Sequence, residues 1–254
     1  MIKSSLRHTL AAFAALAFTA TPALAQDDPG SILERFAADY LDDPTFQRDW
    51  TFGVELDGSD WWTVSLDHES GTYSVTAGQP VEPTFYYTSD SASLGKVDRG
   101  EMAALTGMAK AFSSDVTPMD IELMEGAPFD PAILSLTFHF FTRGTPEIIN
   151  FREQETRFTH GGQAGIIYYQ PGFRSGFGYI LPGQHVNEDP RSQTNPFPTI
   201  IVMTGGEAVA RINGEDSVLR DGQILFIPAG VSHEFLNPYN APAEFLLFMF
   251  GDGA

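Results

Sequence analysis

The sequence predicts two domains, an α+β domain followed by an all-β domain. Three observations carry this reading. Apolar residues at Ile32, Leu33, Phe36, Ala37, Tyr40 and Leu41 keep helical spacing. Between Phe52 and Tyr87 the apolar residues alternate with period 2 in short runs. From Ile148 onward the chain reads as short strands separated by glycine, asparagine and proline turns, the pattern of a sandwich or barrel. A chain of 254 residues, or about 229 without the N-terminal segment described next, suits one large domain or two of ordinary size.

Residues 1–25 read as a secretory signal peptide. Met1 to Arg7 carries Lys3 and Arg7 and no acid, Leu10 to Ala20 is apolar, and Ala23-Leu24-Ala25 fits the small-x-small cleavage rule. The expected mature chain starts at Gln26 and lies in a bacterial periplasm. The apolar run is short for a bilayer span, a retained anchor helix being the competing reading, and no other stretch approaches transmembrane length, so no integral membrane span is expected after cleavage.

The balance of 14 basic against 33 acidic residues gives a net charge of −19. Such a chain repels nucleic acid and anionic membrane surfaces, which excludes both as partners. With no cysteine there is no disulfide, no thiol chemistry and no cysteine metal site. Stability must come from the core, and aromatics at 13% supply it.

The first domain is expected over residues 26–126. A helix at Ser31 to Leu41, with Ser31 as N-cap, precedes the strand runs. Phe52, Val54 and Leu56 form the first run, and Trp62, Val64 and Leu66 the second. Tyr73 and Val75, then Phe85 and Tyr87, continue the pattern. Gly58-Ser59-Asp60 and Glu69-Ser70-Gly71 are turns, so the runs predict an antiparallel meander. A helix over about Arg99 to Phe112 and a strand over Met119 to Met124 complete the domain. In the linker, residues 127–146, Asp130-Pro131 starts a helix and Gly144 stops it. Apolar residues cover most of this helix, so it is expected to be buried between the domains.

This first domain resembles a sterol carrier protein domain. The matching pieces are Trp62-Thr63-Val64-Ser65-Leu66, Tyr73-Ser74-Val75-Thr76-Ala77-Gly78, Pro83-Thr84-Phe85, Thr88-Ser89-Asp90 and Gly100-Glu101-Met102. The chain departs from the family at Ser113-Ser114-Asp115, where a Gly-Lys pair is usual. The resemblance implies a long apolar molecule or lipid held between sheet and helices. Met102, Leu105, Met108, Phe112, Met119 and Met124 are the candidate lining, since methionine suits an adaptable apolar pocket. An ordinary packed core accounts for the same residues.

Residues 147–254 resemble a cupin barrel. Gly222, Pro228, Gly230, His233 and Asn237 follow the spacing G-x5-P-x-G-x2-H-x3-N, which matches the second cupin motif at every marked position. The resemblance implies that His233 points into the barrel, where an imidazole can bind a metal, and that Asn237 satisfies backbone at the following turn. The first motif is degraded. After Pro182-Gly183, His185 and Asn187 have the alternation to point inward together, while a second register puts Asp189 and Arg191 there. The usual glutamate falls on Pro198 or Thr199. A catalytic divalent site needs about three protein ligands and an open position. The candidate ligands of a divalent transition metal are His185, Asn187, Glu188 and His233. A barrel that has lost its metal is the competing reading.

Three functions fit. The first is a periplasmic binding protein for a small apolar or lipid-like ligand, with the barrel as second ligand site or scaffold. The second is a metal-dependent cupin enzyme, an oxygenase, isomerase or lyase acting on a small organic substrate. The third is an assembly role, since cupin barrels commonly pair through strand edges and the resemblance implies a homodimer. There is no nucleophile elbow, P-loop or dinucleotide fingerprint.

Overall fold

The structure is a computed structural model that describes residues 28–144 and 148–254. The expected signal peptide lies outside the described residues. Among the described residues no helix is long and apolar enough to cross a membrane.

Helix α1 spans Pro29–Leu41. Its cap is Asp28, whose carboxylate accepts the Ser31 N–H at 3.2 Å, with proline in the first turn. The helix therefore starts before Ser31, the cap expected from sequence. Its apolar face buries Ile32, Leu33, Phe36, Ala37 and Tyr40 against the first sheet.

That sheet contains β1 (Trp50–Leu56), β2 (Asp60–Asp67), β3 (Thr72–Ala77), β4 (Phe85–Ser89) and β5 (Met119–Leu123), in the order β3-β2-β1-β4-β5. The first three strands form the expected antiparallel hairpins. The meander then ends, because β4 pairs with β1 in parallel. The reason is burial. β3 is largely exposed, whereas β4 carries Phe85 and Tyr87, which are fully buried beside Phe52 of β1. Those two rings gain far more from the covered centre of the sheet than from its open edge.

The helix expected over Arg99 to Phe112 is not there as one element. Helix α2 spans Ser91–Asp98, capped by the Asp90 carboxylate on the Ser93 N–H, and a short α3 covers Ala104–Gly107. Gly100 adopts φ +69, a left-handed C-terminal stop, and separates them. Helix α4 spans Ala132–Phe140. Phe140 packs on Phe36, Tyr40 and Phe52 in the first core, and the Tyr87 and Thr137 hydroxyls share a buried hydrogen bond of 3.0 Å.

The second half has ten strands: β6 (Arg157–Thr159), β7 (Gly162–Gln170), β8 (Phe173–Ile180), β9 (His185–Val186), β10 (Thr199–Gly205), β11 (Glu207–Ile212), β12 (Glu215–Arg220), β13 (Ile224–Ile227), β14 (His233–Leu236) and β15 (Ala243–Phe250). They form a six-stranded sheet, β13-β10-β15-β8-β7-β6, and a four-stranded sheet, β12-β11-β14-β9. Two facing sheets, rather than one closed hydrogen-bonded barrel, is the arrangement among the described residues. The tight turn into β13 uses Gly222 at φ +77, where an L side chain would be strained.

The two halves touch through α3, α4 and β7. The Ile166 N–H donates to Thr106 Oγ1 at 2.8 Å. On the outer face of α4, His139 Nε2 meets the Tyr169 carbonyl at 3.1 Å and Nδ1 meets Asp43 Oδ2 at 3.0 Å. A carbonyl only accepts, so Nε2 carries the hydrogen. One imidazole thus bridges the loop after α1 to β7 of the second half. Burial would raise the Asp43 pKa, but hydrogen bonds from Thr45 and His139 outweigh it and hold the carboxyl below its ordinary value.

Candidate functional site

A cavity of about 1130 Å³ lies between the two sheets of the second half and extends to α3 and α4. Register explains its lining. On the six-stranded sheet Tyr169, Arg174, Met249 and Thr199 are successive partners across β7, β8, β15 and β10. Two residues along lies the row Gly176, Leu247 and Ile201, and two further the row Gly178, Phe245 and Met203. With period 2 these rows share one face. The four-stranded sheet contributes His233 and Phe235 from β14 and Val186 from β9.

The first row is the polar end. It sits where β7 and β15 end and β8 and β10 begin. The loop before β10 joins both sheets there: the Gln193 carbonyl accepts the His233 N–H at 2.8 Å, and the Pro198 carbonyl accepts the Phe250 N–H at 3.2 Å. His233 is buried, and its Nδ1 meets the Val231 carbonyl at 3.0 Å. Nδ1 therefore carries the hydrogen, and in the neutral ring Nε2 is left as an acceptor. Thr199 is 5% exposed, and its hydroxyl has no hydrogen-bond partner.

The four candidate metal ligands do not converge. His185 pairs in register with Leu236, and Val186 with Phe235. His233 and Phe235 face the cavity, so His185 lies on the opposite face with Glu234. There its Nε2 meets Glu234 Oε2 at 2.7 Å, and its Nδ1 is 3.8 Å from Glu188 Oε1. Glu188 is 78% exposed. Asn187 turns left-handed at φ +59, and its amide reaches only the His233 carbonyl, at 3.5 Å. Among the described residues no group of three His, Cys, Asp or Glu side chains could hold a metal ion. The cavity lining includes two imidazoles, His160 and His233, and one carboxylate, Asp120, but these do not come together as a three-ligand set, so the arrangement does not fit a divalent transition metal.

The six candidate ligand residues divide. Leu105, Met108 and Phe112 border the cavity. Met102 and Met119 are packed in the first core, and Met124 is exposed. Phe112 lies under the Arg191 guanidinium, 4.8 Å from its centre, and Arg191 in turn is paired with Asp189. That side-chain hydrogen bond, with the backbone one from Arg191, draws the Asp189 carboxyl down to about 2. Beside them His160 meets Ser192 Oγ at 2.9 Å, and burial lowers its pKa.

Arg174 was not visible as a site residue in the sequence. The signal was parity: on the strand at 173–180 it shares a face with Gly176, Gly178 and Ile180, which are otherwise apolar. Asn237, in contrast, acts as its motif implied. It is fully buried, its amide donates to the Ile180 and Ala241 carbonyls at 2.6 and 2.8 Å, and its oxygen accepts the Tyr239 N–H at 3.0 Å.

Residues 177–249 match the Cupin domain family. No curated protein matches the chain. Among solved structures, the chain is similar to a Cupin 2 conserved barrel domain protein from Salinispora arenicola, at 17% identity and TM-score 0.37, over 42% of this chain and 90% of that one. It is also similar to a predicted oxalate decarboxylase from Thermotoga maritima, at 21% identity and TM-score 0.32, over 35% and 79% of the two chains. A sugar phosphate isomerase from a cupin superfamily, from Silicibacter pomeroyi, shows 20% identity and TM-score 0.31 over 36% and 60%. With the cupin spacing from Gly222 to Asn237 and the family match around it, the C-terminal part of this chain is a cupin-like β domain.

Proposed function

We propose that this protein binds a small apolar organic molecule in the cavity of its cupin-like domain. The observation that carries the reading is the cavity itself, about 1130 Å³ lined by Ile201, Met203, Phe235, Phe245, Leu247 and Met249. Empty, so large an apolar space forgoes many contacts, and ligand sites are typically apolar clefts of roughly 300–1,000 Å³ with few polar groups. The N-terminal domain takes part through Leu105, Met108 and Phe112. Its sterol-carrier-like reading, supported by the residues quoted above, agrees with an apolar ligand. The export reading of residues 1–25 makes the periplasm the place of encounter. The metal-enzyme reading is the weaker one, because the candidate ligands lie on different faces.

The test uses the mature chain and N-phenyl-1-naphthylamine, a neutral probe that brightens in apolar sites. Saturable binding, lost when Ile201 or Leu247 is replaced by Asp, is expected. Absence of probe binding, together with no organic molecule in a solvent extract of the purified protein, would sink the reading. Metal analysis should find less than about a tenth of an equivalent of any transition metal, with unchanged melting in chelator.

A further inference from the structure

Arginine 174 stands apart from the other cations. Every other described lysine and arginine except Arg157 has a carboxylate oxygen within 4.0 Å. Arg157 donates to the Val116 carbonyl at 3.0 Å. Arg174 has neither, among the described residues, although acids outnumber bases more than twofold in this chain. Its guanidinium lies over the Tyr169 ring, 5.4 Å from the centre, and it borders the cavity in the first row of the six-stranded sheet. Tyr169 is 6% exposed, which gives the cation a fixed aromatic neighbour.

We infer that Arg174 is the anion-recognising residue of the cavity and that the ligand is an amphipathic monocarboxylic acid. The inference rests on the proposed apolar site and specifies its ligand. A guanidinium attracted to a ring face keeps its N–H donors available to a carboxylate, two at a time. Thr199, one strand beyond Met249 in the same row, carries a buried hydroxyl with no partner. The rows behind it hold only apolar side chains and glycine. A molecule with one acidic end and an apolar body matches that distribution. A monoanion fits better than a doubly charged phosphate, because the net charge of −19 opposes each added negative charge.

The experiment displaces N-phenyl-1-naphthylamine with dodecanoate and with dodecanol, which share a chain and differ in charge. In the unaltered protein dodecanoate should displace the probe at about 10- to 100-fold lower concentration than dodecanol, the range of a charged hydrogen-bonded pair. The ratio of the two affinities is the readout. Arg174→Gln should bring it close to one, and Arg174→Lys should leave it intermediate, since the charge remains without the fork. Equal affinities in the unaltered protein, or a ratio untouched by Arg174→Gln, overturns the inference while the apolar site stands. Failure of the neutral probe to bind removes the site and the inference together.

Discussion

Replacing Thr199 by valine should stabilise the protein. The two side chains have nearly the same shape, and residue 199 is 5% exposed on a central strand. The change therefore removes one oxygen and leaves the packing in place. That oxygen has no hydrogen-bond partner in the structure, so folding strips it of water without return. A buried unsatisfied hydroxyl costs about 1–3 kcal/mol. For a protein of this size 1 kcal/mol moves the melting temperature by about 2–4 °C, so Thr199→Val should raise it by about 2–12 °C. Thr199→Ser keeps the hydroxyl and loses the methyl, and should be about 1 kcal/mol less stable than the unaltered chain. Thermal unfolding followed by circular dichroism reads both. A Thr199→Val protein that is folded but melts at or below the unaltered chain would refute the reasoning, because the hydroxyl would then have a partner that the structure does not show.

Two further outcomes follow from the buried polar groups. His139→Ala removes the bridge between Asp43 and the Tyr169 carbonyl and should destabilise by about 2–3 kcal/mol in urea titration at neutral pH. Asp43 has a lowered folded pKa, so its contribution is present above the ordinary carboxylate value and is lost as pH falls through the folded one. The gap between His139→Ala and the unaltered chain should narrow below about pH 4. Asn237→Ala strips three hydrogen bonds from a fully buried position and should lower stability by about 2–4 kcal/mol, seen as a lower urea midpoint. A loss under about 0.5 kcal/mol would mean that water replaces the amide.

The cupin-like half was legible because its turns are tied to residue types. Gly222 needs a left-handed backbone, and Asn237 has both donors and an acceptor to place, so their spacing survives in the chain. The N-terminal strands were legible from alternation, but their pairing was not. Nothing local to Phe85 and Tyr87 says that they belong beside β1, since that follows from distant partners, Phe52 on β1 and Thr137 and Phe141 of the α4 segment. The expected metal set failed for a related reason. Period 2 assigns His185 and Asn187 one face only if the strand continues, and β9 is two residues long before Asn187 turns at φ +59. The face His185 takes is fixed by pairing with β14, a partner nearly fifty residues away.

The position expected from the first cupin motif to carry a glutamate is Pro198 or Thr199, and the structure gives Thr199 a precise place in the cavity. It starts β10 in the same row as Arg174, with Met249 between them. This end of the cavity is therefore polar. Where the motif leads one to expect a carboxylate, this end carries a hydroxyl and, two strands away, a cation. The rows behind it, from Leu247 and Ile201 to Phe245 and Met203, offer nothing to pair with a charge. Burying an unpaired carboxylate there would cost several kcal/mol, whereas an alkyl body gains about 0.8 kcal/mol per buried CH₂. The same two magnitudes fix the orientation of any amphipathic acid that enters: head at Arg174, body along the rows toward Met203. Bulk added at Leu247 should therefore shorten the longest acid accepted, while a change at Arg174 should alter the preference for acid over alcohol at every chain length.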